Sequence, residues 1–274
     1  MIIWLASYPK SGNTWVRIFL NTIFYTNNEL NINNIKIKQF PNREHFKNIL
    51  DDFGDIEGVI KNSLNAQYAI NLDNKIKFLK THSACWKSNK GIFTNNENTL
   101  GVIHIVRDPR NIITSLKKHF GKINYESALK FMQDERKFLG SKNNKEENDV
   151  ATLISSWSNN YKSWKKFEKN YFLIKYEDLI ENPNKEFLKL IYYLKDITNF
   201  EFDEIKIKKA ITDCNFENLK KQEKQRGFIE ASKDSDQNFF SLGPNNNWKK
   251  FLDNDIRRKI ENSFRVEMEE LNYL

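Results

Sequence analysis

Ser7-Tyr8-Pro9-Lys10-Ser11-Gly12-Asn13-Thr14-Trp15 follows directly on an apolar run at residues 2–6. The order reads as strand, tight loop and helix. Trp15, Ile18, Phe19 and Ile23 recur at helical spacing, so they share one face of the helix that the loop enters. Such a loop aims backbone N–H groups and a helix N-terminus at one point, where an anion binds well. Lys10 adds a full positive charge. The stretch therefore predicts a site for a phosphate or sulfate ester at the end of a first strand.

Three further β-like runs lie at residues 76–80, 102–106 and 171–175, each followed by a helical pattern. Residues 102–106 are nearly all apolar, as a strand buried on both faces should be. They run into Arg107-Asp108-Pro109, where Asp108 can cap a helix whose first position is Pro109. The fourth run leads into Tyr176-Glu177-Asp178. A helix then starts near Asn182-Pro183, with Phe187, Leu190, Ile191 and Leu194 on one face. Strands alternating with helices predict an α/β chain, a three-layer P-loop-type fold with a central, mostly parallel sheet flanked by helices. The 274 residues suit one large domain, residues 1–274. Segment 26–75 reads as short helices and loops, and 139–150 as an exposed connection. Segment 222–247 reads as a long irregular stretch of the kind that forms lids or binding loops.

The net charge is +8, from 44 Lys and Arg against 36 Asp and Glu. The lysines are spread along helical segments such as 185–195 and 206–221, with no arginine-rich arm or stacked aromatic platform. Solvated helix faces explain this charge, and no nucleic-acid partner is expected. No apolar stretch approaches the roughly 18–20 residues that span a membrane. Met1-Ile2-Ile3-Trp4-Leu5 lacks the basic start and long apolar core of a signal peptide, so the expected location is the cytoplasm. Cys85 and Cys214 lack metal-ligand spacing and are expected as reduced, partly buried thiols.

The first loop departs from the Walker A pattern G-x-x-x-x-G-K-[ST]. Gly12 is followed by Asn13-Thr14, so the Walker lysine is missing, and Lys10 stands two residues before the glycine instead. No aspartate closes the third strand, which ends in Arg107. These departures argue against an ordinary Mg-ATP hydrolase or kinase and favour a group transfer that needs no metal. A terminal sulfuryl group carries less negative charge than a γ-phosphate, so a lysine and backbone N–H groups suffice to stabilise it.

Tyr8 to Trp15 resembles the 5′-phosphosulfate loop of the sulfotransferases that use 3′-phosphoadenosine-5′-phosphosulfate (PAPS). Residues 102–111, with Ser115 eight residues after Arg107, resemble that family's 3′-phosphate motif. Lys80-Thr81-His82 is similar to its Lys-Thr-His segment, whose histidine is the catalytic base. Tyr176-Glu177-Asp178-Leu179 with Asn182-Pro183, Phe216-Glu217-Asn218-Leu219-Lys220, and Gly243 to Trp248-Lys249 resemble further segments of the cytosolic-type domain, in the same order.

The resemblance implies a role for each matching residue. Lys10 would contact the bridging oxygen and sulfuryl group, and Ser11, Gly12, Asn13 and Thr14 would hold the 5′-phosphate. Trp15 would stack on adenine, a contact worth roughly 1–3 kcal/mol. Arg107 and Ser115 would bind the 3′-phosphate, Arg107 by a charge-assisted bond. Tyr176 would hydrogen-bond near the adenine, with Cys214 and Phe216 flanking the base. His82, beside Lys80, would take the acceptor's proton, for which neutral imidazole is suited. The product would be adenosine 3′,5′-bisphosphate, and no metal is implied. One departure stands out. Before the C-terminal glycine the family usually has Arg-Lys; here Ser241-Leu242 precede Gly243. Ser241 and Gly243 retain a hydroxyl and a backbone N–H, while Arg226, Lys233 and Lys249 are candidates to replace the charge.

Outside these motifs, His104 is expected to be structural, and His45 and His119 surface or loop groups. Trp157 and Trp164 should be core, and Trp248 an anchor for the C-terminal loop. The acceptor would be a small molecule or glycan bearing a hydroxyl or amine, received by segments 26–75, 83–95 and 225–242. Phe40, Phe46, Trp86, Phe93, Phe228, Phe239 and Phe240 are candidates for its apolar lining or for core. The dimerisation motif of many cytosolic members is not evident, so a monomer is the default. Two other classes stay open: a non-catalytic nucleotide-binding relative, and a P-loop kinase or nucleotide hydrolase.

Overall fold

A computed structural model describes residues 1–26, 30–121, 123–140, 150–167, 170–231 and 238–274. Four strands form one sheet: β1 (Ile2–Ser7), β2 (Lys77–Thr81), β3 (Thr99–Val106) and β4 (Tyr171–Lys175), in the order β2-β1-β3-β4. β1 pairs in parallel with both β2 and β3, and Ala6 stands between Thr81 and His104. Every residue of β1 is buried, and so is all of β3 except Leu100. That burial is the reason both read as unbroken apolar runs. The fold is α/β, a parallel four-stranded sheet flanked by helices, as expected.

The helices that matter for the site are α1 (Asn13–Tyr25), α2 (Ile56–Asn71), α3 (Pro109–Phe120), α4 (Trp157–Trp164), α5 (Pro183–Ile197), α6 (Phe216–Arg226) and α7 (Asn254–Ser263). Their starts are written in the sequence. Asp108 caps α3 by accepting from the Arg110 N–H, with Pro109 at the first turn. Asn182 caps α5 through the Lys185 N–H, ahead of Pro183. Segment 26–75 holds more order than its composition suggests. It contains the sixteen-residue helix α2, started by Asp55 accepting from the Glu57 N–H. Its buried face includes Gly58, Ser63, Ala66 and Gln67 beside Val59, too few large apolar residues to signal a helix. Of the connection at 139–150, residues 141–149 lie outside the described residues.

The Cα positions group into two compact units. The first comprises Met1–Pro9, Ile37–Ile105 and Gln133–Leu173. Its core is built round Trp4, whose ring lies 5.4 Å from Phe40, 5.2 Å from Phe93 and 6.2 Å from Trp164. The indole N–H of Trp4 donates to Thr99 Oγ1 at 3.0 Å and that of Trp164 to the Ser83 carbonyl at 2.9 Å, so neither buried donor is left unsatisfied. The second comprises Lys10–Lys36, Val106–Met132 and Ile174–Leu274. There Phe19 of α1 stacks on Phe187 of α5 at 4.0 Å.

Candidate active site

Each sheet strand ends just ahead of a predicted site residue. β1 ends before the loop bearing Lys10, β2 before His82, β3 before Arg107 and β4 before Tyr176. In open α/β sheets ligands bind beyond the carboxyl ends of the strands.

In the second unit the loop residues turn through two left-handed conformations, Lys10 at φ 67° and Gly12 at φ 94°. Gly12 is required there for a second reason. A Cβ on it would fall 2.3 Å from Cδ2 of Tyr176. Gly12 is the cap of α1 and offers no side chain to its N–H groups, and the first turn holds no acidic residue. The hydroxyl of Ser11 is buried and has no hydrogen-bond partner among the described residues.

Two cations gather at this loop. The Arg107 guanidinium donates from Nη1 to the Lys10 carbonyl at 2.9 Å and lies 4.1 Å from the centre of the Tyr176 ring. Among the described residues neither Lys10 nor Arg107 forms an ion pair, and Nε of Arg107 is buried without a partner. Burial, and then the charge of Arg107, push the Lys10 ammonium down to about 8, with Glu230 opposing. Two cations held together at an uncapped helix start, with an unsatisfied hydroxyl, fit an anionic ligand. The 5′-phosphate end of PAPS meets that requirement.

The neighbouring motif residues support these groups. Trp15 donates its indole N–H to the Cys214 carbonyl at 2.7 Å and lies edge-on to Tyr176 and Phe187 at 6.1 and 5.8 Å. Cys214 is buried, and its thiol is pushed up to about 12 by that burial. Glu177, raised mainly by burial, accepts from the Asp108 N–H at 3.1 Å and from the Tyr273 hydroxyl at 2.9 Å. The Tyr-Glu-Asp segment thus props both Arg107 and the residue after it.

Ser115 is half-buried in the second turn of α3. Thr114, beside it, donates to Asn246 Oδ1 at 2.7 Å. Asn246 Nδ2 donates to the Asn111 carbonyl at 2.9 Å, and Asn111 Oδ1 accepts from the Trp248 N–H at 2.9 Å. These bonds dock the C-terminal segment on α3, and Arg110 lies 4.2 Å over the Trp248 ring. Gly243, at φ 46°, leaves room for the Phe216 ring, which a Cβ would approach to 2.2 Å.

Ser241 and Leu242 are half-buried and bring no charge. Of the candidate replacements, Arg226 is exposed, Lys249 is exposed with Nζ 5.6 Å from the Trp248 ring centre, and Lys233 lies outside the described residues. Arg110 is committed elsewhere, to Asp108, Glu261 and the Tyr273 carbonyl.

In the first unit, His82 follows β2 and Nδ1 lies 2.9 Å from the Ser7 carbonyl and 3.2 Å from Ser7 Oγ. A carbonyl only accepts, so Nδ1 carries the hydrogen and the lone pair of the neutral ring is on Nε2. Asn160 Nδ2 holds the His82 carbonyl at 3.0 Å. Lys80 Nζ donates to Gln39 Oε1 at 3.0 Å. His104 is buried in β3, bonded to the Tyr171 hydroxyl at 2.7 Å and pushed down to about 3 by burial, in line with a structural role.

Other expectations are revised. His45 and His119 are half-buried rather than surface groups, each lowered to about 4 chiefly by burial; for His119 the Lys10 charge adds to the effect. Phe40, Phe46 and Phe93 belong to the Trp4 core, with Trp86 packed against it. They are filled core rather than free acceptor lining. Phe228, Phe239 and Phe240 form a separate cluster, 4.9–5.3 Å apart, with Lys10 Nζ 5.0 Å from the Phe239 ring centre. Sequence reasoning missed the buried Arg17, which pairs with Glu230 across 213 positions. It also missed the Asn111–Asn246 bonds. No local pattern links partners that far apart.

A family model described as "Sulfotransferase domain" matches residues 2–272. Among curated proteins, the chain is 24% identical over 226 residues to the luciferin sulfotransferase of Photinus pyralis, covering 79% of this chain and 56% of the relative. It is 25% identical over 209 residues to sulfotransferase 1 family member D1 of Mus musculus, covering 71% and 59%. The match thus spans less than two thirds of the length of these curated relatives. Among solved structures, a mouse sulfotransferase complexed with PAP aligns over 97% of this chain and 83% of its own, with a TM-score of 0.60 at 17% identity. Retinol dehydratase in complex with androsterone and PAP aligns over 97% and 80%, with a TM-score of 0.61 at 15% identity. At these identities the likeness establishes the fold.

Proposed function

The chain belongs to the sulfotransferase domain family, and from that premise we propose that it moves the sulfuryl group of PAPS to a hydroxyl or amine of a small-molecule or glycan acceptor. The observation that carries this reading is the pairing of Lys10 and Arg107, two cations without an ion pair among the described residues, at the loop between β1 and α1. The family match from residue 2 to 272 supports treating the two units as one functional domain.

PAPS supplies an activated sulfuryl group on a phosphate leaving group. Lys10 neutralises the charge that develops on that phosphate, a preorganised contribution made where water is scarce. Ser11, Gly12, Asn13 and Thr14 hold the 5′-phosphate, and Arg107 and Ser115 the 3′-phosphate. Trp15, Tyr176, Cys214 and Phe216 surround the adenine, with Ser241, Leu242 and Gly243 closing the 3′ end. His82 takes the acceptor's proton at Nε2, its ring oriented by the Ser7 carbonyl. Lys80 lies two residues earlier, on β2, held by Gln39. No step is assigned to a metal. Retinol and androsterone, held by retinol dehydratase in its solved complexes, are of the small-molecule class proposed. A cytoplasmic location belongs to the same reading; no described helix is long and apolar enough to cross a membrane.

Calorimetry with adenosine 3′,5′-bisphosphate beside ATP and ADP tests the donor, followed by transfer from labelled PAPS to an acceptor panel. Preferential bisphosphate binding with transfer is expected, and His82→Ala should abolish transfer while binding persists. Donor affinity falling as far as the rate would remove the base role. Mg-dependent ATP turnover would favour a kinase or hydrolase. A second reading, a binding protein without transfer, rests on the uncharged Ser241-Leu242 pair. Bisphosphate binding with no transfer to any acceptor would establish it.

A further inference from the structure

We propose that Glu223 is a positioning residue for Lys10: its carboxylate fixes the backbone of Phe239 and Phe240 so that the Phe239 ring stays against the Lys10 ammonium. The proposal rests on the reading of Lys10 as the donor-site lysine. Glu223 lies in the last turn of α6 and is only 5% exposed. A carboxylate there opposes the helix dipole and loses its hydration. Among the described residues it has no ion pair. Its compensation is two backbone donors: the Phe239 N–H reaches Oε1 at 2.6 Å and the Phe240 N–H reaches Oε2 at 2.8 Å. Both oxygens are thereby used on successive peptide groups of one segment.

That segment carries the apolar cover of Lys10. Phe240 is buried against Phe228 and Phe216, at 5.3 and 6.5 Å. Phe239 lies 4.9 Å from Phe228, and its ring centre is 5.0 Å from Lys10 Nζ. The ring face attracts the ammonium weakly, while its bulk keeps water away. The charged groups acting with it on the Lys10 site are Arg107 and Glu230, and His119 of α3 feels the Lys10 charge. Removing the carboxylate releases the ring without altering any of these charges. Lys10 then regains water and titrates closer to an ordinary lysine.

The test is competitive amine labelling of the wild type and variants across pH, with the Lys10 peptide quantified by mass spectrometry. This reads Lys10 without any donor present. The wild type should be half-reactive near pH 8. Glu223→Gln offers one acceptor and one misdirected NH2 group, and should raise the midpoint by about one pH unit or more, as loss of burial does for a lysine. Phe239→Leu should do the same, and the double variant should move no further than Phe239→Leu. Glu223→Asp keeps the charge with a shorter reach, should give a partial shift, and carries the test if the Gln variant does not fold. A lower Tm with an unmoved Lys10 midpoint would overturn the proposal. A shifted midpoint in a protein that binds no bisphosphate would leave the positioning intact and refute the donor-site reading.

Discussion

On the proposed role of Lys10 as a charged donor-site lysine, raising the pH from about 8 to about 10 should weaken adenosine 3′,5′-bisphosphate binding roughly tenfold per unit. The ammonium lies near 8 in place of its ordinary 10.5, held down first by burial and then by Arg107. At about 1.4 kcal/mol per pH unit, this is a penalty on the order of 3 kcal/mol for keeping Lys10 charged in the empty site. A bound phosphate offsets it. Below about pH 8 Lys10 is protonated in both free and bound forms and affinity is flat. Above it, each binding event takes up a proton. The ligand's own phosphates are already ionised there, with a second pKa near 6, so they do not contribute.

The sign for the free protein is opposite. Between about 8 and 10.5 the unfolded chain holds the Lys10 proton more tightly, so stability from this group rises with pH in that window. Lys10→Met should remove both effects and stabilise the empty protein at neutral pH. Calorimetry in two buffers of different ionisation enthalpy measures the uptake, approaching one proton near pH 9. Constant affinity from pH 8 to 10 with no proton uptake would show that the charge on Lys10 does not hold the ligand.

Gly12→Ala should leave a folded protein that binds bisphosphate at least tenfold more weakly. The new Cβ would strike Tyr176, which supports Arg107, and a φ of 94° costs a side-chain residue about 1–2 kcal/mol; unchanged affinity by calorimetry would contradict this. Arg110→Met should cost about 3–5 kcal/mol in urea unfolding, since it leaves the Asp108 carboxylate buried without its cation. A loss below about 1 kcal/mol, the scale of an exposed pair, would mean that water reaches Asp108.

The strand–loop–helix at residues 2–25, the Asp108-Pro109 and Asn182-Pro183 helix starts, and the buried third strand were all legible in the chain. Each depends on neighbours within one or two turns: apolar period, a capping side chain, a proline already suited to the first turn. The same locality concealed α2, whose buried face is made of small and polar residues that become core only once Phe93 and Thr94 meet Gln67. It also concealed the division of the phenylalanines. Nothing in their spacing separates Phe40, Phe46 and Phe93, which fill the space round Trp4, from Phe239, which meets Lys10.

The order of residues alone carries a strand–loop–helix with a displaced lysine, an arginine just after the third strand and a histidine just after the second. Backbone geometry and charge at such positions are properties of short stretches. How those groups are maintained belongs to the folded molecule. The fold leaves Lys10 and Arg107 without an ion pair among the described residues, commits Arg110 to Asp108, and sets Phe239, whose N–H Glu223 accepts, against the lysine. Burial and pairing depend on what distant segments bring to a point in space, and that is set by packing rather than by any local pattern.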